Sequence, residues 1–281
     1  MNPHPESTAQ NPQTVGLVAG RGEFPFLVAQ AVRRHNNCKL AAIAMNGETS
    51  PELVNYVDHV DWVCVGQIKK SIRALQRQQA TSVILAGQVK PSRLFKGLHP
   101  DMKALKLLWS LKERNAETLF AAVAAEFEKA GLHVLPSTTY MEAALATEGV
   151  LAGKSPKGKI QRDIELGWRI AREVSRLDIG QTVVVKKGTV LAVEGFEGTD
   201  KAIRRGGELG HGDVVVVKVA KPNHDMRFDV PCIGMRTVES LIAANARALA
   251  VQAQKTLFLR KDDVLAACRQ HGIIVVGMPE E

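Results

Sequence analysis

Runs of apolar residues recur along the chain at Val15 to Ala19, Leu40 to Met45, Trp62 to Val65, Val83 to Ala86 and His133 to Leu135, each short enough for a strand. Between them lie stretches with helical spacing: Pro25 to His35, Pro51 to Tyr56, Ile68 to Gln79 and Ala116 to Lys129, the last with Leu119, Phe120, Val123 and Phe127 on one side. Strands alternating with helices predict a doubly wound, Rossmann-like parallel sheet. The basic stretch from Lys90 to Arg114 interleaves apolar residues, and Leu105, Leu108, Trp109 and Leu111 predict an amphipathic helix. That helix docks on the domain with its basic face solvated, or it meets an anionic membrane surface.

The pattern changes at Pro136 to Lys159, where proline, glycine, serine and threonine interrupt a short helical piece around Met141 to Ala146. The expected organisation is therefore an N-terminal domain over 13–135, a linker over 136–160 and a C-terminal mixed α/β domain over 161–281. In that second domain Asp163 to Leu177 reads as a helix opened by the Asp163 carboxylate, followed by strands Thr182 to Lys186 and Val190 to Glu194 joined through Lys187-Gly188. Val214 to Val219 reads as a buried strand, Val238 to Ala253 as a helix, Thr256 to Leu259 as a strand, Asp262 to His271 as a helix and Ile273 to Val276 as a final strand.

At 281 residues and 45% hydrophobic composition, two cores are the expectation. Four dispersed cysteines fit neither a disulfide framework nor a zinc site, which implies a reducing cytoplasm. The N-terminus lacks the basic start and apolar core of a signal peptide, and no long apolar run occurs, so a soluble protein is expected. A net charge of +8 implies an anionic partner. Only 5% of residues are aromatic and no nucleic-acid motif is present, which favours phosphate-bearing small molecules over nucleic acid.

Three constellations carry candidate chemistry. Gly20-Arg21-Gly22-Glu23-Phe24-Pro25 follows a strand and opens a helix, where backbone N–H groups favour a phosphate; Gly87-Gln88-Val89 leaves another strand at the same expected edge, so both loops border one crevice. Pro25 replaces the third glycine of a dinucleotide fingerprint and no ribose-binding acid follows the second strand, which argues against a nicotinamide cofactor. Glu194-Gly195-Phe196-Glu197-Gly198-Thr199-Asp200 crowds three carboxylates around a helix start: either a capped turn with solvent-facing acids, or ligands for Mg²⁺ shared with a phosphate.

The third constellation, Lys221 to Pro231, crowds Asp225, Arg227, Asp229 and His224 between two prolines. It reads as a strand placing Asp225, Arg227 and Asp229 on one face and Met226, Phe228 and Val230 on the other. Lys218 and Lys221 stand just before it as phosphate-binding point charges. Arg227 either grips a phosphate or neutralises the two aspartates, and His224 either shuttles a proton or only hydrogen-bonds. Together these groups resemble a metal-assisted phosphoryl or pyrophosphoryl hydrolysis site. Asp178 and Gln181 read as turn residues before the hairpin.

The order Asp178-Ile-Gly-Gln181, then Glu194-Gly-Phe-Glu-Gly-Thr-Asp200, then Lys221-Pro-Asn-His-Asp225-Met-Arg-Phe-Asp229-Val-Pro-Cys-Ile-Gly234-Met-Arg-Thr237, resembles the LpxI-type UDP-2,3-diacylglucosamine pyrophosphatases of lipid A biosynthesis. The N-terminal loops Gly20 to Pro25 and Gly87-Gln-Val are collinear with that family. The resemblance implies Mg²⁺-dependent hydrolysis of a nucleotide-activated lipid sugar to UMP and 2,3-diacylglucosamine 1-phosphate (lipid X), with the site between two α/β domains. It also implies a cytoplasmic homodimer acting near the inner membrane, with peripheral membrane contact.

On that resemblance Asp225 matches the essential acid. The expected catalytic set is Asp225, Asp229 and Arg227, and the metal set is Asp225, Glu194, Glu197 and Asp200. The substrate-binding set is Gly20, Gly22, Gly87, Gln181, Thr199, Lys218 and Lys221. His224 stands where the family commonly has Gln, and Glu113-Arg114-Asn115 where it commonly has an acidic pair after a glycine. A binding protein that clamps a phosphorylated lipid or nucleotide sugar without cleaving it is the alternative.

Overall fold

A computed structural model describes residues 13–35, 38–89, 100–111, 116–222 and 225–280. His224, the Glu113-Arg114-Asn115 stretch and Lys90 to His99 of the basic segment lie outside the described residues. The chain divides into two compact units at Tyr140/Met141.

The first unit alternates β1 (Gln13–Ala19), α1 (Phe24–Arg33), β2 (Cys38–Met45), β3 (His59–Val63), α2 (Ile68–Arg77), β4 (Ala80–Ala86), α3 (Met102–Ser110), α4 (Ala116–Lys129) and β5 (His133–Leu135). Pro51–Tyr56 forms a 3₁₀ helix between β2 and β3. All five strands are parallel in the order β3-β2-β1-β4-β5, so the direction of winding reverses between β1 and β4. This is the predicted doubly wound sheet, and its middle strands are buried on both faces, as the uninterrupted apolar runs require.

Helix α3 forms where the amphipathic segment was expected, with Asp101 capping it through the backbone N–H groups of Lys103 and Ala104. Its buried positions are Ala104 and Leu107, whereas Trp109, assigned from the sequence to the apolar face, is 80% exposed. The docked face is rotated from the expected one toward Ala104 and Leu107.

The second unit contains β6 (Gly149–Ala152), α5 (Lys159–Arg176), β7 (Thr182–Lys186), β8 (Thr189–Val193), α6 (Thr199–Gly210), β9 (Val214–Lys218), β10 (Cys232–Ile233), α7 (Met235–Ala243), β11 (Ala246–Gln252), β12 (Leu257–Phe258), α8 (Lys261–Gln270) and β13 (Ile274–Met278). Its main sheet runs β6-β13-β11-β9-β7-β8, with β9, β11 and β13 parallel and β7 antiparallel to both its neighbours. One face is covered by α5, which lies against Val215, Val217 and Val219; the other is covered by α6, α7 and α8 over Val184, Val216 and Leu249.

Three expectations are corrected here. Residues 136–160 are not merely a linker, because Gly149–Ala152 is an edge strand antiparallel to β13. The helix expected over Val238 to Ala253 is a helix ending at Ala243 followed by strand β11: Asn245 adopts a left-handed conformation (φ 44°) that stops the helix, and Ala246–Gln252 fills a central strand slot between β9 and β13. Its alanines and leucine suit a helix locally, but burial on both faces of a sheet overrides propensity.

The third concerns Asp163. It does not open the helix; it lies within α5, is 6% exposed, and its carboxylate accepts the backbone N–H groups of Lys187 (2.8 Å) and Gly188 (2.7 Å). Those two residues form the turn of the β7–β8 hairpin, with φ of 49° and 77°, so the helix holds the turn.

Candidate active site

In the first unit the two glycine loops meet at the C-terminal ends of β1 and β4, where the winding reverses. Arg21 and Gln88 form an antiparallel bridge, with Arg21 N–H donating to Gln88 O (2.7 Å) and Gln88 N–H to Arg21 O (3.1 Å). Gly20 N–H donates to Ala86 O (2.8 Å). A Cβ on Gly20 would stand 2.5 Å from Gln88 O, and one on Gly87 would stand 2.7 Å from Arg21 O. These glycines are required for close backbone approach, and the N–H groups of Gly20, Arg21 and Gln88 are consumed in that contact instead of facing a phosphate. Gly22, at φ 91°, is exposed.

In the second unit the polar residues gather at one edge of the main sheet, at the start of β7 and the ends of β8 and β9. Thr182 pairs in register with Lys218, and Glu194 N–H donates to Thr182 O (2.8 Å). Thr199, the first residue of α6, donates its hydroxyl to Glu194 Oε1 (2.9 Å) and accepts from Lys218 Nζ (3.0 Å). Lys218 is 6% exposed and Glu194 8%, so a cation and an anion are both withdrawn from water and joined only through a hydroxyl. Glu194 Oε2 is buried with no hydrogen-bond partner, and Gln181 Oε1 at the start of β7 is likewise unpartnered. Gly180, preceding Gln181, lies so close to Glu194 that any side chain there meets the Glu194 backbone.

The Asp225 segment is a turn, not the expected strand. Phe228 N–H and Asp229 N–H both donate to Asp225 O (3.1 and 2.9 Å), and the Asp225 side chain accepts Arg227 N–H (3.0 Å). A short polar side chain that bonds the backbone two residues on favours a turn over an extended ladder. Arg227 grips both carboxylate oxygens, Nε to Oδ1 at 2.9 Å and Nη2 to Oδ2 at 2.6 Å. The Arg227 guanidinium therefore holds the Asp225 carboxyl below its usual range, against the opposing effect of burial.

The turn leads into Cys232, whose Sγ donates to Val230 O (3.2 Å). Burial pushes that thiol up to about 12, with Lys218 lowering it and Asp229 raising it, so Cys232 lies within electrostatic reach of both. Lys221 instead pairs with Asp178 (2.6 Å), whose left-handed φ of 55° confirms its turn role.

The four carboxylates expected to hold Mg²⁺ are not gathered. Glu197 pairs with Arg205 (2.6 Å), which lowers its pKa, and also accepts Gly195 N–H (3.1 Å). Asp200 faces Arg236 (3.4 Å) and accepts the Thr237 hydroxyl (3.3 Å), while Asp225 is held by Arg227. Among the described residues no group of three or more His, Cys, Asp or Glu side chains converges on one point. The residues do not form a carboxylate cage for Mg²⁺. Sequence reasoning also missed that Glu194 is buried and bonded to Thr199; the helix-opening Thr199 five residues after it was the available signal.

A Rossmann-like unit followed by a mixed α/β unit, with a buried lysine and a buried glutamate at one sheet edge of the second, defines a two-unit α/β protein. Two family models cover it: the LpxI N-terminal domain matches residues 14–144 and the LpxI C-terminal domain residues 147–276. A relative from Caulobacter vibrioides named UDP-2,3-diacylglucosamine pyrophosphatase LpxI is 32% identical over 280 residues, covering 95% of this chain and 98% of the relative. The chain belongs to the LpxI family.

Among solved structures, the biotin carboxylase domain of Hydrogenobacter thermophilus 2-oxoglutarate carboxylase is 17% identical at a TM-score of 0.24, over 64% of this chain and 36% of its own. The biotin carboxylase subunit of pyruvate carboxylase is 14% identical at 0.25, over 65% and 35%. Likenesses of that size bear on neither fold nor function.

Proposed function

We propose that this protein hydrolyses the pyrophosphate bond of UDP-2,3-diacylglucosamine to UMP and 2,3-diacylglucosamine 1-phosphate in lipid A synthesis. The observation that carries the reading is the collinear family match across both units, joined to a buried ammonium at Lys218 that is held by a hydroxyl and by no carboxylate among the described residues. In the reaction water adds to one phosphorus, the bridging P–O bond breaks, and the departing phosphate takes up a proton. Asp225, kept ionised by Arg227, accepts hydrogen bonds from the attacking water and orients it; Lys218 and Arg227 offset phosphate charge.

The proposal includes Mg²⁺ dependence, with the ion arriving on the substrate pyrophosphate, since Mg²⁺ is commonly bound through substrate phosphates and few protein ligands. It further includes a cytoplasmic homodimer with peripheral membrane contact. The net charge of +8 and the exposed Trp109 and Met102 on α3 support the membrane contact. Among the described residues no helix is long and apolar enough to cross a membrane.

Purified protein with UDP-2,3-diacylglucosamine and Mg²⁺ releases UMP, and chelation stops release; intact substrate after prolonged incubation with excess Mg²⁺ would refute the reading. The bidentate Arg227–Asp225 pair favours a second reading, binding without cleavage. Saturable calorimetric binding with no product selects that alternative.

A further inference from the structure

Lys218 and Glu194 are more than nine-tenths buried, yet among the described residues neither is fully satisfied. Of the three N–H donors of the Lys218 ammonium, one reaches Thr199 Oγ1; no other described side chain meets it in a hydrogen bond or ion pair. Glu194 Oε1 is occupied by the Thr199 hydroxyl, and Oε2 has no partner. A buried ion lacking partners is costly, and such groups are retained where a ligand completes them. The vacant donors call for anionic oxygen, and the vacant carboxylate oxygen calls for a hydroxyl or N–H donor. Thr199 bridges the two, so a ligand meeting both must carry its phosphate and its hydroxyl close together.

We infer that Lys218 grips a phosphate oxygen of a sugar phosphate while Glu194 Oε2 accepts a sugar hydroxyl, and that Thr199 is the positioning residue that fixes both. This deepens the proposed function and rests on it for the identity of the sugar phosphate. It assigns Glu194 to hydroxyl recognition and not to metal binding. The location supports it: Thr199 opens α6, whose N-terminal backbone favours an anion. Gly180 is needed to let the Gln181 strand lie against Glu194 and hold it in place.

Calorimetry of the full chain with glucosamine 1-phosphate, UMP and inorganic phosphate, alongside turnover of UDP-2,3-diacylglucosamine, tests this. Lys218→Met is expected to weaken binding of the sugar phosphate, and to raise KM, by roughly tenfold or more, the worth of a hydrogen bond to a charged group. Glu194→Gln weakens the sugar phosphates but not inorganic phosphate. Thr199→Ser retains binding, whereas Thr199→Val loses it. The Lys218→Met/Glu194→Gln double variant has a Tm no lower than the native protein, since it removes both buried charges, and so separates a ligand role from a structural one.

Whichever of glucosamine 1-phosphate and UMP depends on Lys218 identifies the half of the substrate held there. Lys218→Met binding both like the native protein overturns the inference, as does a Glu194→Gln variant that treats sugar phosphates and inorganic phosphate alike. Lys218-dependent binding without hydrolysis leaves this inference standing and removes the proposed function; hydrolysis with unchanged KM in Lys218→Met does the reverse.

Discussion

Gly180 and Glu194 touch so closely that a Cβ on Gly180 would stand 2.1 Å from the Glu194 carbonyl oxygen. Gly180→Ala is therefore expected to push apart the start of β7 and the end of β8. The expected cost is about 1–3 kcal/mol of stability, as for other overpacked sites, with a larger proportional loss of turnover because Glu194 and Thr199 move with the strand. Chemical denaturation and steady-state kinetics of the purified variant check both effects; native stability in Gly180→Ala would contradict the contact.

Asp163 controls the far end of the same hairpin by accepting both N–H groups of its turn. Asp163→Ala removes the acceptor of two exposed turn N–H groups, which water then meets, and is expected to cost about 0.5–1.5 kcal/mol for each hydrogen bond lost. Asp163→Asn keeps one acceptor and costs less. Hydrogen exchange at Lys187 and Gly188 gives a local readout, with protection lost in the alanine variant.

Arg227 holds the Asp225 carboxyl below its usual range. A depressed folded-state value means that the pair contributes stability at neutral pH that is lost as pH falls through that value. In Arg227→Gln that contribution disappears, because the Asp225 carboxyl now titrates toward the ordinary carboxylate range, and the acid limb of the activity profile moves to higher pH with it. Carboxyl titration by NMR on the two proteins measures the shift; coincident titrations would show that Arg227 does not set it.

Burial raises the thiols of Cys232 to about 12 and Cys268 to about 11, from 9.0. Because the folded values exceed the unfolded one, stability is full below pH 9.0 and falls as pH rises toward 12. Cys232→Ala and Cys268→Ala flatten that decline. Thiol labelling at pH 8 should modify the half-buried Cys38 and Cys64 before the buried Cys268, and before Cys232, which is also half-buried but whose thiol is held protonated.

The same separation of local from tertiary causes explains what was legible beforehand. The middle strands of the first unit stood out as apolar runs because they are buried on both faces, and the Lys187-Gly188 turn was readable because its left-handed conformations favour such residues. The candidate chemistry of Asp225, Arg227, Lys218 and Thr199 was visible as residue type and spacing. Their pairings were not: alternation suggested a strand at Asp225, yet a carboxylate bonding its own backbone and Arg227 made a turn.

The sequence by itself determined the alternation of strand and helix in the first unit, the hairpin, and the family. Tertiary structure alone decided that Ala246–Gln252 is a strand, that Asp163 serves a turn beyond its own helix, and that the acids of 194–200 part toward different partners. The physical reason is range. Periodicity and turn chemistry act over a few residues, whereas burial of Lys218 and Glu194 depends on three strands and a helix meeting at one sheet edge.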